Sequence, residues 1–121
     1  MSAFSNAWEI EPQQIWAGVT SRPVHGEKMT LSLIELEPEA NVPEHRHENE
    51  QIGVLIQGSL SFTIGDETAE IAPGGTWCVL ANVPHAVTAG PDGAVLAEVF
   101  SPPRHDWHAI EKQAPGPGRW P

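Results

Sequence analysis

Cysteine, basic side chains and long apolar runs are all scarce in this chain, and each shortage closes off a class of protein. The single cysteine, Cys78, cannot form an internal disulfide. That excludes the stapled folds of small secreted domains and any thiolate zinc cluster, and makes a reducing, cytoplasmic setting the expectation. Lys and Arg number 6 against 16 Asp and Glu, a formal net charge of -10, so the overall field repels nucleic acid and anionic membrane surfaces. Residues 1–22 hold one basic side chain, Arg22, and no helix-turn-helix pattern, so neither a DNA-reading segment nor a signal peptide with a basic start is expected. No apolar run approaches the roughly 18 residues of a membrane span.

What is abundant is punctuation. Within 121 residues there are 11 Gly and 12 Pro, more than a helical protein tolerates, while 40% hydrophobic residues suffice for one core. A single domain over 1–121 built of short strands is the expectation. Residues 1–22 read as extended pieces broken by Pro12, suited to an edge strand or one crossing to a partner. Residues 29–37, MTLSLIELE, alternate with Met29, Leu31 and Leu33 on the apolar side and a bulge near Leu33. Further strands are read over 51–57, 59–64, 68–72, 76–81, 85–89 and 94–100, with turns at Gly58, 65–67, 73–75 and 90–93. Turns at this spacing predict an all-β sandwich or barrel. Only 104–113 reads as a short helix, followed by the Pro/Gly tail APGPGRWP.

The chemistry concentrates in Pro43-Glu44-His45-Arg46-His47-Glu48-Asn49-Glu50-Gln51. Two His one residue apart on a strand point to the same face, and Gln51 shares their parity. His85 lies in another strand and converges on them only if the sheet curls into a barrel. Three imidazoles and an amide oxygen would leave up to two positions open on a divalent ion, as Lewis-acid chemistry requires.

This pattern, with Gly58, Pro73-Gly74 and Pro84-His85, resembles the two motifs of the cupin superfamily over about residues 25–104. The resemblance implies a double-stranded β-helix (jelly-roll) barrel with a short C-terminal helix or tail. It also implies one divalent metal per chain, nickel, zinc, iron, manganese or cobalt, held by His45, His47, Gln51 and His85. Gln51 stands where many cupins carry Glu, which removes one negative charge from the site and favours an anionic substrate. Within cupins, HENEQIGVLIQGSLSFTIG, NVPH and VFSPPRHDW look like the pectin-degradation cupins that open 4,5-unsaturated monouronates to linear keto forms. Their Asp-x-Phe-x-x-x-Arg pattern falls here on Glu98, Phe100 and Arg104, with Glu one methylene longer than Asp.

That resemblance implies Glu98 and Arg104 as catalytic residues, with Phe100 and Arg104 contacting an acidic sugar. Trp77 is a candidate stacking wall for the same substrate. Glu98 and Phe100 share a face, so an inward Phe100 brings an inward carboxylate that needs a partner. A cupin dioxygenase and a non-enzymatic metal- or metabolite-binding cupin are the alternatives. His25, His105 and His108 read as surface or structural residues, Cys78 as a small buried side chain, and Arg22 and Lys28 as solvated. The Trp-bearing N-terminal segment and apolar sheet faces suggest a homodimer.

Overall fold

A computed structural model describes residues 2–120. Eight antiparallel strands carry the fold: β1 (Gln13–Trp16), β2 (Val19–His25), β3 (Thr30–Leu36), β4 (Asn41–His45), β5 (Glu50–Ile64), β6 (Glu67–Ile71), β7 (Thr76–Val79) and β8 (His85–Ser101). Two 3-10 turns, Ala7–Glu9 and His105–Ala109, lie outside them. Among the described residues no helix is long and apolar enough to cross a membrane.

The two longest strands decide the shape. β5 and β8 pair along nearly their whole lengths, from Glu50↔Ser101 to Ile64↔His85. The first half of β5 and the second half of β8 join β1, β2, β3 and β7, while the other halves join β4 and β6. Two sheets thus share two bent strands and face each other across one core, with Leu36, Leu55, Leu60 and Val79 almost fully buried.

The break expected at Gly58 is a bend inside a continuous strand. Gly58 adopts φ +83°, and a Cβ there would collide with the carbonyl of Gly93 on β8. The register shifts on both sides of it, so the extra residues are absorbed as bulges that turn the strand from one sheet into the other. The four residues Gly90-Pro91-Asp92-Gly93 likewise bulge within β8 instead of ending it. The stretch read as a helix over 104–113 forms only the five-residue 3-10 turn.

The parity expected for β3 is reversed. Thr30, Ser32, Ile34 and Leu36 face inward, whereas Met29 and Leu31 are about half exposed, and the pairing runs through Leu33 without a bulge. The small polar residues are buried because each finds a partner. Ser32 pairs with Ser21 at 2.6 Å, and Thr30 Oγ1 accepts the Arg104 backbone N–H at 3.0 Å.

Arg22, expected in solvent, is buried. It pairs with Glu35 at 2.7 Å and lies 5.1 Å from the Trp8 ring centroid. The other Glu35 oxygen binds Arg119 at 3.1 Å, which fastens the Pro/Gly tail to the outside of β3. Gln13, buried on β1, donates to the Trp107 and Ile110 carbonyls and holds the second 3-10 turn against the barrel. Cys78, expected inside, is exposed on β7, because the buried parity there belongs to Trp77 and Val79.

Candidate metal centre and its cavity

His45 ends β4 and His85 opens β8 directly opposite it, with ring centroids 4.3 Å apart. His47 lies beyond the end of β4 in the loop before β5, so the loop and not strand parity aims its ring, 4.9 Å from that of His85. One ligand atom from each of the three imidazoles lies within 4.8 Å of the others.

The rings are oriented alike from behind. Nδ1 of His45 meets the Pro43 carbonyl at 2.8 Å, Nδ1 of His47 the Asn49 carbonyl at 2.9 Å, and Nδ1 of His85 the Val83 carbonyl at 2.9 Å. A carbonyl only accepts, so Nδ1 carries the hydrogen in each ring, and the neutral imidazole presents its Nε2 lone pair. Nε2 of His47 and of His85 is buried without a hydrogen-bond partner. Two orphaned acceptors beside a third imidazole fit a divalent cation.

Burial and neighbouring positive charge keep the His47 and His85 rings neutral. Desolvation and the nearby Arg104 guanidinium lower the pKa of His47, and desolvation takes His85 down to about 4. Neither need lose a proton to bind a cation at neutral pH.

Gln51, buried at the start of β5, donates from Nε2 to Glu98 Oε2. Tying down that end leaves its carbonyl oxygen free for a cation. The amide is near enough to His47 to oppose the fall in the imidazole pKa, although no hydrogen bond closes between them.

Glu98 is buried on β8, and the same Oε2 also accepts Trp77 Nε1–H at 2.8 Å. Burial dominates its titration and raises its pKa to about 6, against the two hydrogen bonds and Arg104. Gly53 makes the Trp77 contact possible. It lies between Trp77 and Glu98 on the intervening strand, and a Cβ on it would sit 2.6 Å from the indole. Nothing in the sequence pattern singles out Gly53, whose role depends on which residues flank it across the sheet. Trp77 stacks near Phe62 at 5.4 Å and is not among the residues lining the cavity in front of the histidines.

Arg104 does line that cavity. Its guanidinium lies 4.9 Å from the Phe100 centroid and 4.6 Å from that of Trp107, and Asp106 grips it through two hydrogen bonds. Phe100, Glu98, Gln51 and the three histidines share the cavity with Arg104. The space within it that water can occupy is about 80 Å³. His25 and His108 form a separate exposed pair with rings 4.8 Å apart. Among the described residues only His45, His47 and His85 group as three metal-binding side chains.

The Cupin domain family matches residues 32–100, more than half of the chain. An H2HPP isomerase of Bacillus subtilis is 36% identical over 75 residues, 61% of this chain and 31% of that protein. The chain therefore spans about a third of the length of that relative. An RmlC-like cupin from Shewanella frigidimarina superposes with a TM-score of 0.81 at 21% identity, covering 88% of this chain and 96% of the other. KdgF from Halomonas sp. gives 0.79 at 22% identity, covering 88% and 98%.

Proposed function

This chain belongs to the Cupin domain family, and from that premise we propose that it is a metal-dependent isomerase that moves a proton between oxygen and carbon on a small carboxylate substrate. The observation that carries the reading is the pairing of a three-imidazole centre with a buried carboxylate and a fixed guanidinium in one cavity. The isomerase of Bacillus subtilis, similar over 75 residues, supports the reaction class. Opening of a 4,5-unsaturated monouronate to its keto form, implied by the Glu98, Phe100 and Arg104 pattern, is one reaction of that class.

His45, His47 and His85 through Nε2, with the Gln51 carbonyl oxygen, would hold one divalent ion. When bound, such an ion polarises a substrate oxygen and stabilises the negative charge that develops as a proton leaves. Arg104 pairs with the substrate carboxylate, kept in place by Asp106 and by stacking on Phe100 and Trp107. Glu98 carries the proton. Its Oε2 is committed to Gln51 and Trp77, which leaves Oε1 to take a proton from a hydroxyl and return it to the enol carbon. A pKa near 6 suits both steps. The exchange is internal to the substrate and needs no second reactant.

A homodimer is part of the proposal. Val24, Leu31, Val99, Ile52 and Cys78 are aligned across five neighbouring strands, and Val24, Leu31, Ile52 and Cys78 are exposed on the outer face. A flat apolar row of this kind suits a second copy of itself.

The test is incorporation of solvent deuterium at carbon. Co2+-loaded protein is given 4,5-unsaturated galacturonate or the enolisable 2-oxo acid phenylpyruvate, with and without a chelator. Chelator-sensitive exchange into either substrate, lost in Glu98→Gln at matched metal content, supports the reading. No exchange into both, with one ion bound per chain, overturns it.

A further inference from the structure

A second set of titratable side chains gathers around His25, outside the cavity of the metal centre. His25 ends β2 and faces Thr30, its pairing partner at the start of β3. The His108 ring lies 4.8 Å from that of His25, and the His105 ring 5.5 Å from that of His108. Glu9, Glu11 and Lys112 line the same groove, and Glu27 and Lys28 stand in the turn that joins β2 to β3.

Thr30 connects this cluster to the cavity. It is completely buried, and its Oγ1 lies 2.8 Å from His25 Nδ1 on one side and 3.0 Å from the Arg104 backbone nitrogen on the other. The Arg104 N–H only donates, so it takes a lone pair of Oγ1. Among the described residues the hydroxyl hydrogen then has one acceptor within reach, His25 Nδ1. His25 is therefore the Nε2–H tautomer, the opposite of the three centre histidines.

Two donors and two acceptors balance in this arrangement. A proton added at Nδ1 makes three donors, the ring N–H, the hydroxyl and the Arg104 N–H, converge on Oγ1 as the single acceptor atom, and a buried donor is left without a partner. Desolvation, then His108, His105 and Lys112, hold the His25 pKa below its usual 6.5, so the ring is neutral at neutral pH and the relay is intact there. Arg104 is the residue that feels the break, because its backbone carries the guanidinium seated on Phe100 and Trp107.

We infer that His25 is a positioning residue for Arg104: the neutral ring orients the Thr30 hydroxyl, the hydroxyl oxygen holds the Arg104 backbone, and protonation of His25 loosens the arginine at the cavity. This deepens the proposed function and rests on the role given there to Arg104.

The test is an NMR titration of the 15N-labelled full chain between about pH 5 and 8, reading the His25 ring nitrogens and the Arg104 backbone amide. The expected result is the Nε2–H tautomer at neutral pH and an Arg104 amide that shifts with the same midpoint as His25, below 6.5. The hydroxyl favours the neutral ring, so in Thr30→Val the His25 midpoint should rise towards 6.5 and the Arg104 amide should cease to follow it. Thr30→Ser should restore both. His25→Phe, at an exposed position, should remove the Arg104 step at that midpoint. An Nδ1–H tautomer, or an Arg104 amide that titrates unchanged in His25→Phe, overturns the inference. No turnover is read here, so a failed titration overturns the relay alone, and absent deuterium exchange overturns the isomerase reading alone.

Discussion

Replacing Gly53 with Ala tests whether the centre is built from behind, through the sheet. The new methyl carbon would lie 2.6 Å from Cε2 and Cζ2 of Trp77 and 2.7 Å from Nε1. An indole is rigid and this one is buried against Phe62, so it must move as a whole and give up its hydrogen bond to Glu98. Losing a bond to a carboxylate costs about 1.5–3 kcal/mol, and forcing a methyl into a filled space about 1–3. Together these predict a loss of roughly 2.5–6 kcal/mol, measurable by urea unfolding of the metal-free protein. Because Glu98 also holds Gln51, Co2+ affinity should fall about 10–100-fold, the usual effect of disturbing groups behind a metal ligand. Gly116→Ala is the control, since nothing lies within 4 Å of the added atom, and it should change stability by less than about 0.5 kcal/mol. Trp77→Phe should also lose the hydrogen bond to Glu98, together with the packing of the ring atoms it removes. If Gly53→Ala is as stable as the control, the account of the indole is wrong. If it unfolds more easily but binds Co2+ as before, the link from Glu98 to Gln51 fails.

The remaining predictions concern titration, anion binding, the metal and assembly. His85 has its pKa lowered from 6.5 to about 4, so its contribution to metal-free stability is complete above pH 6.5 and lost as pH falls towards 4, about 3 kcal/mol in all. Glu98, raised from 4.5 to about 6, acts oppositely, costing about 2 kcal/mol as pH rises through 6. Glu98→Gln should therefore make stability climb more steeply between pH 4.5 and 6, and an unchanged slope in urea midpoints would count against a buried ionisable carboxylate. Arg104→Gln should weaken phenylpyruvate binding about 10–100-fold in calorimetry while Co2+ still binds. Arg104→Lys should rescue little, because stacking on Phe100 and Trp107 needs a planar group. One equivalent of Co2+ should raise the melting temperature, and His85→Ala should abolish the rise. Light scattering should find a dimer that Leu31→Asp with Ile52→Asp converts to monomer, and a wild-type monomer would refute the apolar face as an interface.

Much of the site was legible from the order of residues. His45, His47, Gln51 and His85 stand at spacings that a folded barrel brings together, and Glu98 with Phe100 on alternate positions of one strand had to share a face. Turn residues placed most strands within a residue or two, because Pro and Gly act on the backbone locally and independently of what packs nearby.

Tertiary structure decided the rest, and in each case the deciding group was distant in the chain. Thr30 and Ser32 turned inward against their polarity because Arg104 and Ser21 satisfy them there. Gly58 extended a strand instead of ending it because β8 runs alongside both halves. Arg22 was buried by Glu35. Gly53 acquired its role from Trp77 on one side and Glu98 on the other, a juxtaposition across three strands that no linear spacing contains. Alternation and turn chemistry are local properties that a sequence carries by itself, whereas the partner that pays the desolvation cost of a buried polar group is fixed only when the sheets close.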